Sequence, residues 1–233
     1  MSLPAHKTVA SSTKTMFTVQ VCCSAVGQFL LLYVVFKGLH LYSTWCSGGP
    51  ESARYTCSPS GWMESLQFLE WFSKVFVEST KELDGGKLLI FDGHSSHHSE
   101  QVVSIAEAYN VELLCLPART SSILQPLHVG VFKSVKAAWR KLLRTFYDET
   151  RYLNVHKKQF PKLLKEDDGG AFSRTNATNA FEARGIFPPN RNKISEEKLS
   201  TSVPLTKAPE SSSSQTSNET TTRVMNHQFK RQL

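Results

Sequence analysis

The stretch KLLIFDGHSSHHSEQVVSIAEAYNVELLCL, residues 87–116, decides the fold class. Lys87 to Asp92 is a short, nearly all-apolar run of the kind buried in a parallel or central strand, and it ends abruptly in a carboxylate followed by Gly93. Ser99 to Asn110 then puts Val102, Ile105, Ala106 and Tyr109 on one helical face, with Asn110 as its C-terminal cap. Val111 to Leu116 returns as a second buried strand. Strand, helix and strand at this length form a right-handed βαβ unit, so the chain reads as α/β.

Upstream of this unit, Trp62 to Leu83 places Leu66, Leu69, Phe72, Phe76 and Leu83 at helical spacing, and Asp84-Gly85-Gly86 supplies a stop. Lys37 to Gly61 is rich in turn residues and reads as ordered irregular structure, because it also holds Trp45 and Tyr55. Phe17 to Phe36 is 20 residues long with 15 apolar, which approaches the length of a membrane span. Its first residues alternate like a strand, however, and Ser24 to Gln28, with Gly27, interrupts the run before Phe29 to Phe36. Two buried strands joined by a turn are therefore expected, not a membrane helix.

Downstream, Pro117 to Leu127 is a loop, and a helix from about Val129 to Phe146 carries Phe132, Val135, Trp139, Leu142 and Phe146 on its apolar side. Lys133, Lys136, Arg140 and Arg144, joined by Lys141, occupy its other side. Residues 130–165 hold ten basic side chains against Asp148 and Glu149, a local balance of 10 − 2 = +8 that exceeds the net +7 of the whole chain. A short helix is expected around Ala171 to Arg184, ending at Gly185. Beyond Leu199 the composition collapses into Ser, Thr, Asn and Gln, too few apolar residues to offset the entropy of ordering. The expected organisation is thus one domain over residues 1–198 and a disordered Ser/Thr-rich tail over 199–233. With 40% apolar residues the remainder has enough material for one core. The five cysteines show no paired spacing, so neither a disulfide framework nor a zinc ribbon is suggested.

Chemistry is most concentrated at Asp92 to Ser99, where one carboxylate and three imidazoles surround a strand-to-helix turn. Such turns at the carboxyl edge of an α/β sheet are where ligands are usually held. Asp92 capping the turn, Ser99 capping the next helix and solvated histidines is the plain alternative. Zinc is a third reading, but no second cluster at ligand spacing completes the site.

In order along the chain, VCCSAVGQFLLLYVVFKG, GWMESLQFLEWF, LLIFDGHSSHHS, VELLCLPARTSSILQPLHVGVFKSVKAAWRK and AFEARGIFPPN resemble the DDE superfamily endonucleases of pogo, tigger and jerky type transposases. The resemblance runs from about Lys7 to Asn190. It implies an RNase H-like α/β fold and a chemistry in which three carboxylates hold two divalent metals, Mg²⁺ being a hard cation that wants oxygen ligands. Asp92 falls on the second acid. His128 stands where the third acid is expected, in Leu127-His128-Val129-Gly130. The first acid belongs on a strand upstream of Lys7, and no residue before Lys7 is acidic. A neutral imidazole brings no negative charge and prefers softer metals, so tight Mg²⁺ binding and DNA cleavage are not expected of this chain. Glu100 and Glu107 lie on the helix after Asp92 and are poor substitutes.

Under the same resemblance, Lys133, Lys136, Arg140, Lys141 and Arg144, with Arg119 and Lys7 in support, would contact phosphates of DNA without sequence preference, implying a nuclear location. A solvated helix face is the competing reading of the same residues. Without the first strand the sheet is incomplete, and its unpaired edge offers a route to association with a second copy or another protein. An interaction protein that ignores DNA, or a fragment of a working Mg²⁺-dependent nuclease, are the alternatives that follow.

Overall fold

The computed structural model describes residues 16–92, 99–151, 154–166 and 170–194. The expected tail, Lys7 and the three histidines of the turn after Asp92 lie outside them.

Strand β1 (Phe17–Gln20) pairs antiparallel with β2 (Tyr33–Lys37) in the register Phe17 to Phe36 and Gln20 to Tyr33. Gly27, at φ +86°, forms the turn between them, where a left-handed backbone favours glycine. The apolar run at 17–36 is therefore a β-hairpin, as its interruption implied. Among the described residues no helix is long and apolar enough to cross a membrane. A third strand, β3 (Arg54–Ser58), pairs parallel with β2. The turn-rich composition of residues 37–61 predicts irregular structure here, and the strand is a correction to it. In its five residues, RYTCS, Tyr55 and Cys57 alternate with polar residues and pack on the core, and the strand pairs along the edge of β2.

Helix α1 (Ser65–Trp71) runs into a wider π turn (Phe72–Val77) and ends in α2 (Glu78–Thr80). The buried face is Phe68, Trp71, Phe72, Val75, Phe76 and Val77, whereas Leu66 and Leu83 are 70% and 55% exposed. This corrects the expected face. Phe68, Trp71, Phe72, Val75 and Phe76 stand at i, i+3, i+4, i+7 and i+8, the regular apolar stripe of a helix; Leu66 is about 120° round from Phe72, and Leu83 lies beyond the end of α2.

Strand β4 (Lys87–Phe91), helix α3 (Glu100–Ala108) and strand β5 (Val111–Cys115) form the expected unit, with β4 and β5 parallel. The Ser99 side chain accepts from the Val102 amide at 3.3 Å, and Asn110 closes the helix at φ 52°. Neither strand is buried on both faces. Leu89 and Phe91 face the core, while Leu88 on β4 and Leu114 on β5 are exposed.

After a short helix, α4 (Ser121–Leu124), a π turn (Leu127–Val131) opens α5 (Phe132–Thr150), followed by α6 (Phe160–Glu166) and α7 (Arg174–Ala183). Gly130 meets α7 so closely that a Cβ there would lie 2.5 Å from that of Ala180. Glycine against alanine is what lets this turn and α7 touch along Val131, Ala177 and Ala180.

Helices cover both faces of the strand layer. On one face Tyr33 and Val35 of β2, Leu89 and Phe91 of β4 and Val111 of β5 share a cluster with Phe68, Trp71, Phe72 and Val102. On the other, Val34 and Phe36 of β2 and Phe17 of β1 pack against Phe132, Trp139 and Leu143 of α5 and Phe160 of α6. Alternate residues of β2 thus enter opposite cores, which explains why YVVF is continuously apolar. Among the described residues the layer is divided into β1-β2-β3 and β4-β5.

Candidate functional site

Asp92 is the first residue beyond β4 and is half-buried. His128 lies in the π turn that opens α5. Phe91 and Leu127, their chain neighbours, line the same cavity, so the two motif residues flank one feature of the fold. His128 is half-buried, with its ring edge-on to Phe132 at 5.3 Å. Burial, and then the charge of Lys136, hold its imidazole below the usual histidine range, which favours the neutral form. The structure thus offers one carboxylate and one neutral imidazole where a divalent hard cation would need several anionic oxygens. Among the described residues no cluster of three or more His, Cys, Asp or Glu side chains could hold a metal ion. This donor set does not fit Mg²⁺. Glu100 and Glu107 are exposed on α3.

The basic residues are placed on one surface as the helical spacing required. At about 100° per residue, Lys133, Lys136, Arg140, Lys141 and Arg144 occupy one arc of α5, which adjoins the arc of Phe132, Trp139 and Leu143 that is buried in the core. Lys133, Arg140, Lys141 and Arg144 are exposed and Lys136 is half-buried. No acidic residue interrupts the helix before Asp148, so the arc carries positive charge over its first four turns. Arg119 is exposed in the turn before α4 with a left-handed backbone at φ 65°. Lys157 has a structural role: its ammonium sits 4.1 Å above the Trp45 ring and donates to the Lys37 carbonyl, and burial pulls its pKa down.

One feature escaped the sequence reading. A cavity of about 400 Å³ opens between β1 and β4, walled by Val19 and Gln20 on one side and Leu89 and Phe91 on the other. Trp71 and Gln125 also line it. The Trp71 Nε1 and Gln125 Oε1 atoms are buried and have no hydrogen-bond partner among the described residues. Each such orphan costs about 1–3 kcal/mol of folding free energy. Cys22 and Cys23 complete the wall. Burial pushes the Cys22 thiol up to about 12 and raises that of Cys23 as well, so both are protonated and poor nucleophiles. Gln125 belongs to the LQPL motif, but nothing in the sequence marked it as lacking a partner.

Comparison with known proteins places this geometry. Residues 14–200 match the sequence pattern of the DDE superfamily endonuclease family. A Cochliobolus lunatus protein named MFS-type transporter clz9 is 30% identical over 169 residues, 71% of this chain and 18% of that protein. Human and mouse proteins named Pogo transposable element with KRAB domain are 24% and 25% identical over 128 residues, 54% of this chain and 20% and 21% of theirs. The chain therefore spans about a fifth of the length of these curated relatives. No solved structure matches it. With the family pattern covering most of the sequence, and with its strand-end aspartate and basic helix in place, the chain belongs to the DDE superfamily endonucleases.

Proposed function

We propose that this chain is a transposase-derived domain that binds DNA through α5 without sequence preference and does not cut it. The divided layer of strands with helices on both faces is read as an incomplete RNase H-like fold, with residues 1–198 as its domain and a nuclear location to match its ligand. The observation that carries the binding reading is the arc of five cations on α5 without an intervening acid. Guanidinium and ammonium groups one helical turn apart suit successive phosphates, and Arg119 extends the surface toward the Asp92 end of β4. The observation against cleavage is the replacement of a carboxylate by the neutral imidazole of His128.

The test is fluorescence anisotropy with a labelled random-sequence duplex over a range of salt concentrations. Neutralising Z phosphates gives a slope of log affinity on log salt of about −0.9Z. Arg140 and Arg144 are exposed, so Arg140→Glu with Arg144→Glu should leave the fold intact, weaken binding and flatten the slope by about 2. Unchanged affinity and slope would make the arc a solvated face.

A further inference from the structure

We infer that an open recess between the β2–β3 loop and the turn before α6 binds one unpaired nucleotide of a single-stranded nucleic acid, with its base stacked on Tyr42 and its phosphates held by Lys157 and Lys158. The site lies outside α5 and takes a strand whose bases are open rather than a duplex. It stands whether or not the cations of α5 bind DNA.

The two walls are distant in sequence. One is Thr44 and Trp45, in a single 3₁₀ turn (Ser43–Trp45) of the loop between β2 and β3, and the other is His156, Lys157 and Lys158, just before α6. They border about 410 Å³ of space, within the range of about 300–1,000 Å³ usual for small-ligand sites. Both walls are held in place. The Trp45 amide donates to the Tyr42 carbonyl at 2.9 Å, and the Trp45 ring lies edge-on to Phe36 at 5.7 Å. Opposite, the His156 amide donates to Gln159 Oε1 at 3.0 Å, and the Phe160 amide donates to the His156 carbonyl at 3.1 Å. Walls fixed in this way lose little freedom when a ligand enters.

Two properties of the recess select its ligand. The first is charge. Lys158 is exposed, and the Lys157 ammonium, over the Trp45 ring, donates to the Lys37 carbonyl and has further N–H donors for an anion. Among the described residues Lys37, Lys157 and Lys158 form no ion pair with an acid. Burial first, and then the like charge of Lys37, weigh against the Lys157 ammonium, and a phosphate beside it would offset both. Both recess lysines belong to the basic stretch 130–165 but lie outside α5, so the arc on that helix does not account for them.

The second property is an exposed aromatic ring beside these charges. Lys157 occupies one face of Trp45, whereas Tyr42, tilted 58° to Trp45 with centroids 4.9 Å apart, is 55% exposed. A duplex hides its base faces within the stack, while an unpaired base offers a face on which an aromatic side chain can rest. An acidic peptide or a sulfated sugar would meet the lysines and leave Tyr42 in water.

Fluorescence anisotropy of the full chain with labelled hexathymidylate, an abasic strand of the same length and a random-sequence duplex tests the site. The wild type should bind hexathymidylate at least about fivefold more tightly than the abasic strand, the least expected of one stacked base. Tyr42→Ala should lose that preference and bind duplex as the wild type does, and Tyr42→Phe should retain the preference. Lys158→Glu should weaken hexathymidylate and the abasic strand alike and flatten the salt slope by about 0.7, one phosphate contact on a single strand. The preference, and its loss in Tyr42→Ala, should persist on the Arg140→Glu/Arg144→Glu background, so failure of the α5 reading and failure of this one are separate results. The same pair of strands built on ribose distinguishes RNA from DNA as the source of the nucleotide. Absence of a preference on both sugars, or a preference that survives in Tyr42→Ala, overturns the proposal. A loss of heparin affinity in Tyr42→Ala as large as its loss on hexathymidylate also overturns it, since the recess would then recognise charge alone.

Discussion

His128 occupies the position at which the family resemblance expects a carboxylate, and its surroundings differ from those a carboxylate ligand would require. Phe132 packs on the ring and Lys136 lies two turns further along the same helical face. Both disfavour the imidazolium, so its folded pKa falls below the usual 6.5. Below pH 6.5 the unfolded chain takes up a proton that the folded chain resists, and stability falls until the folded pKa is passed. His128→Gln removes this component. The loss of stability between pH 7.5 and 5.5, measured by urea unfolding, should be smaller in the variant, and an equal loss in both proteins would refute the assignment. That His128 stands where the resemblance expects an acid is a reading of the motif. The burial and the cation that keep the ring neutral were not legible there, because Lys136 is eight residues away and only helical geometry brings it near.

Along α1 and the π turn, the elements show where periodicity misleads. Trp71-Phe72-Ser73-Lys74-Val75-Phe76-Val77 is apolar at so many positions that several stripes fit it, and the expected face joins Leu66, Leu69 and Leu83 to Phe72 and Phe76. The stripe that is buried starts from Phe68 and takes Trp71, Phe72, Val75 and Phe76 at regular helical spacing, which leaves Leu66 off the face. Phe72→Ala should therefore cost about 3–5 kcal/mol, as a cavity left by a fully buried aromatic ring does. Leu66→Gln should change stability by no more than about 0.5 kcal/mol. Equal losses in chemical denaturation would restore the face through Leu66. The βαβ unit was legible because strand, cap and helix signals agree at Ser99 and Asn110, and α5 because its two faces differ in kind. Strand β3 carries the alternation of Tyr55 and Cys57 with polar residues, but five residues with two apolar ones inside a turn-rich stretch are a weak signal without the pairing to β2. The same limit hid the cavity: Trp71 and Gln125 lie 54 residues apart, and neither carries a local sign that its polar atom is left over.

At the scale of the whole molecule, the proposed function separates a phosphate-binding surface on α5 from the edge at Asp92 and His128. The cations of α5 need only a phosphate lattice, and they are complete within one helix. The metal edge depends on acids brought together from several strands and loops, and here Asp92 has a neutral imidazole as its motif partner. Mg²⁺ requires near-octahedral oxygen coordination, and one carboxylate with waters does not compete with bulk hydration. Millimolar Mg²⁺ should therefore leave Tm unchanged, produce no nicks in supercoiled plasmid, and reduce duplex affinity only as far as its competition with protein cations for phosphates accounts for. His128→Asp offers the sharper contrast. A second carboxylate at that turn should make Tm rise with Mg²⁺ where the wild type does not respond, provided that both side chains reach one ion. Nicking by the wild-type chain that requires Mg²⁺ and disappears in Asp92→Asn would show that the missing oxygens are supplied by some other group, and that binding and cleavage have not parted in this protein.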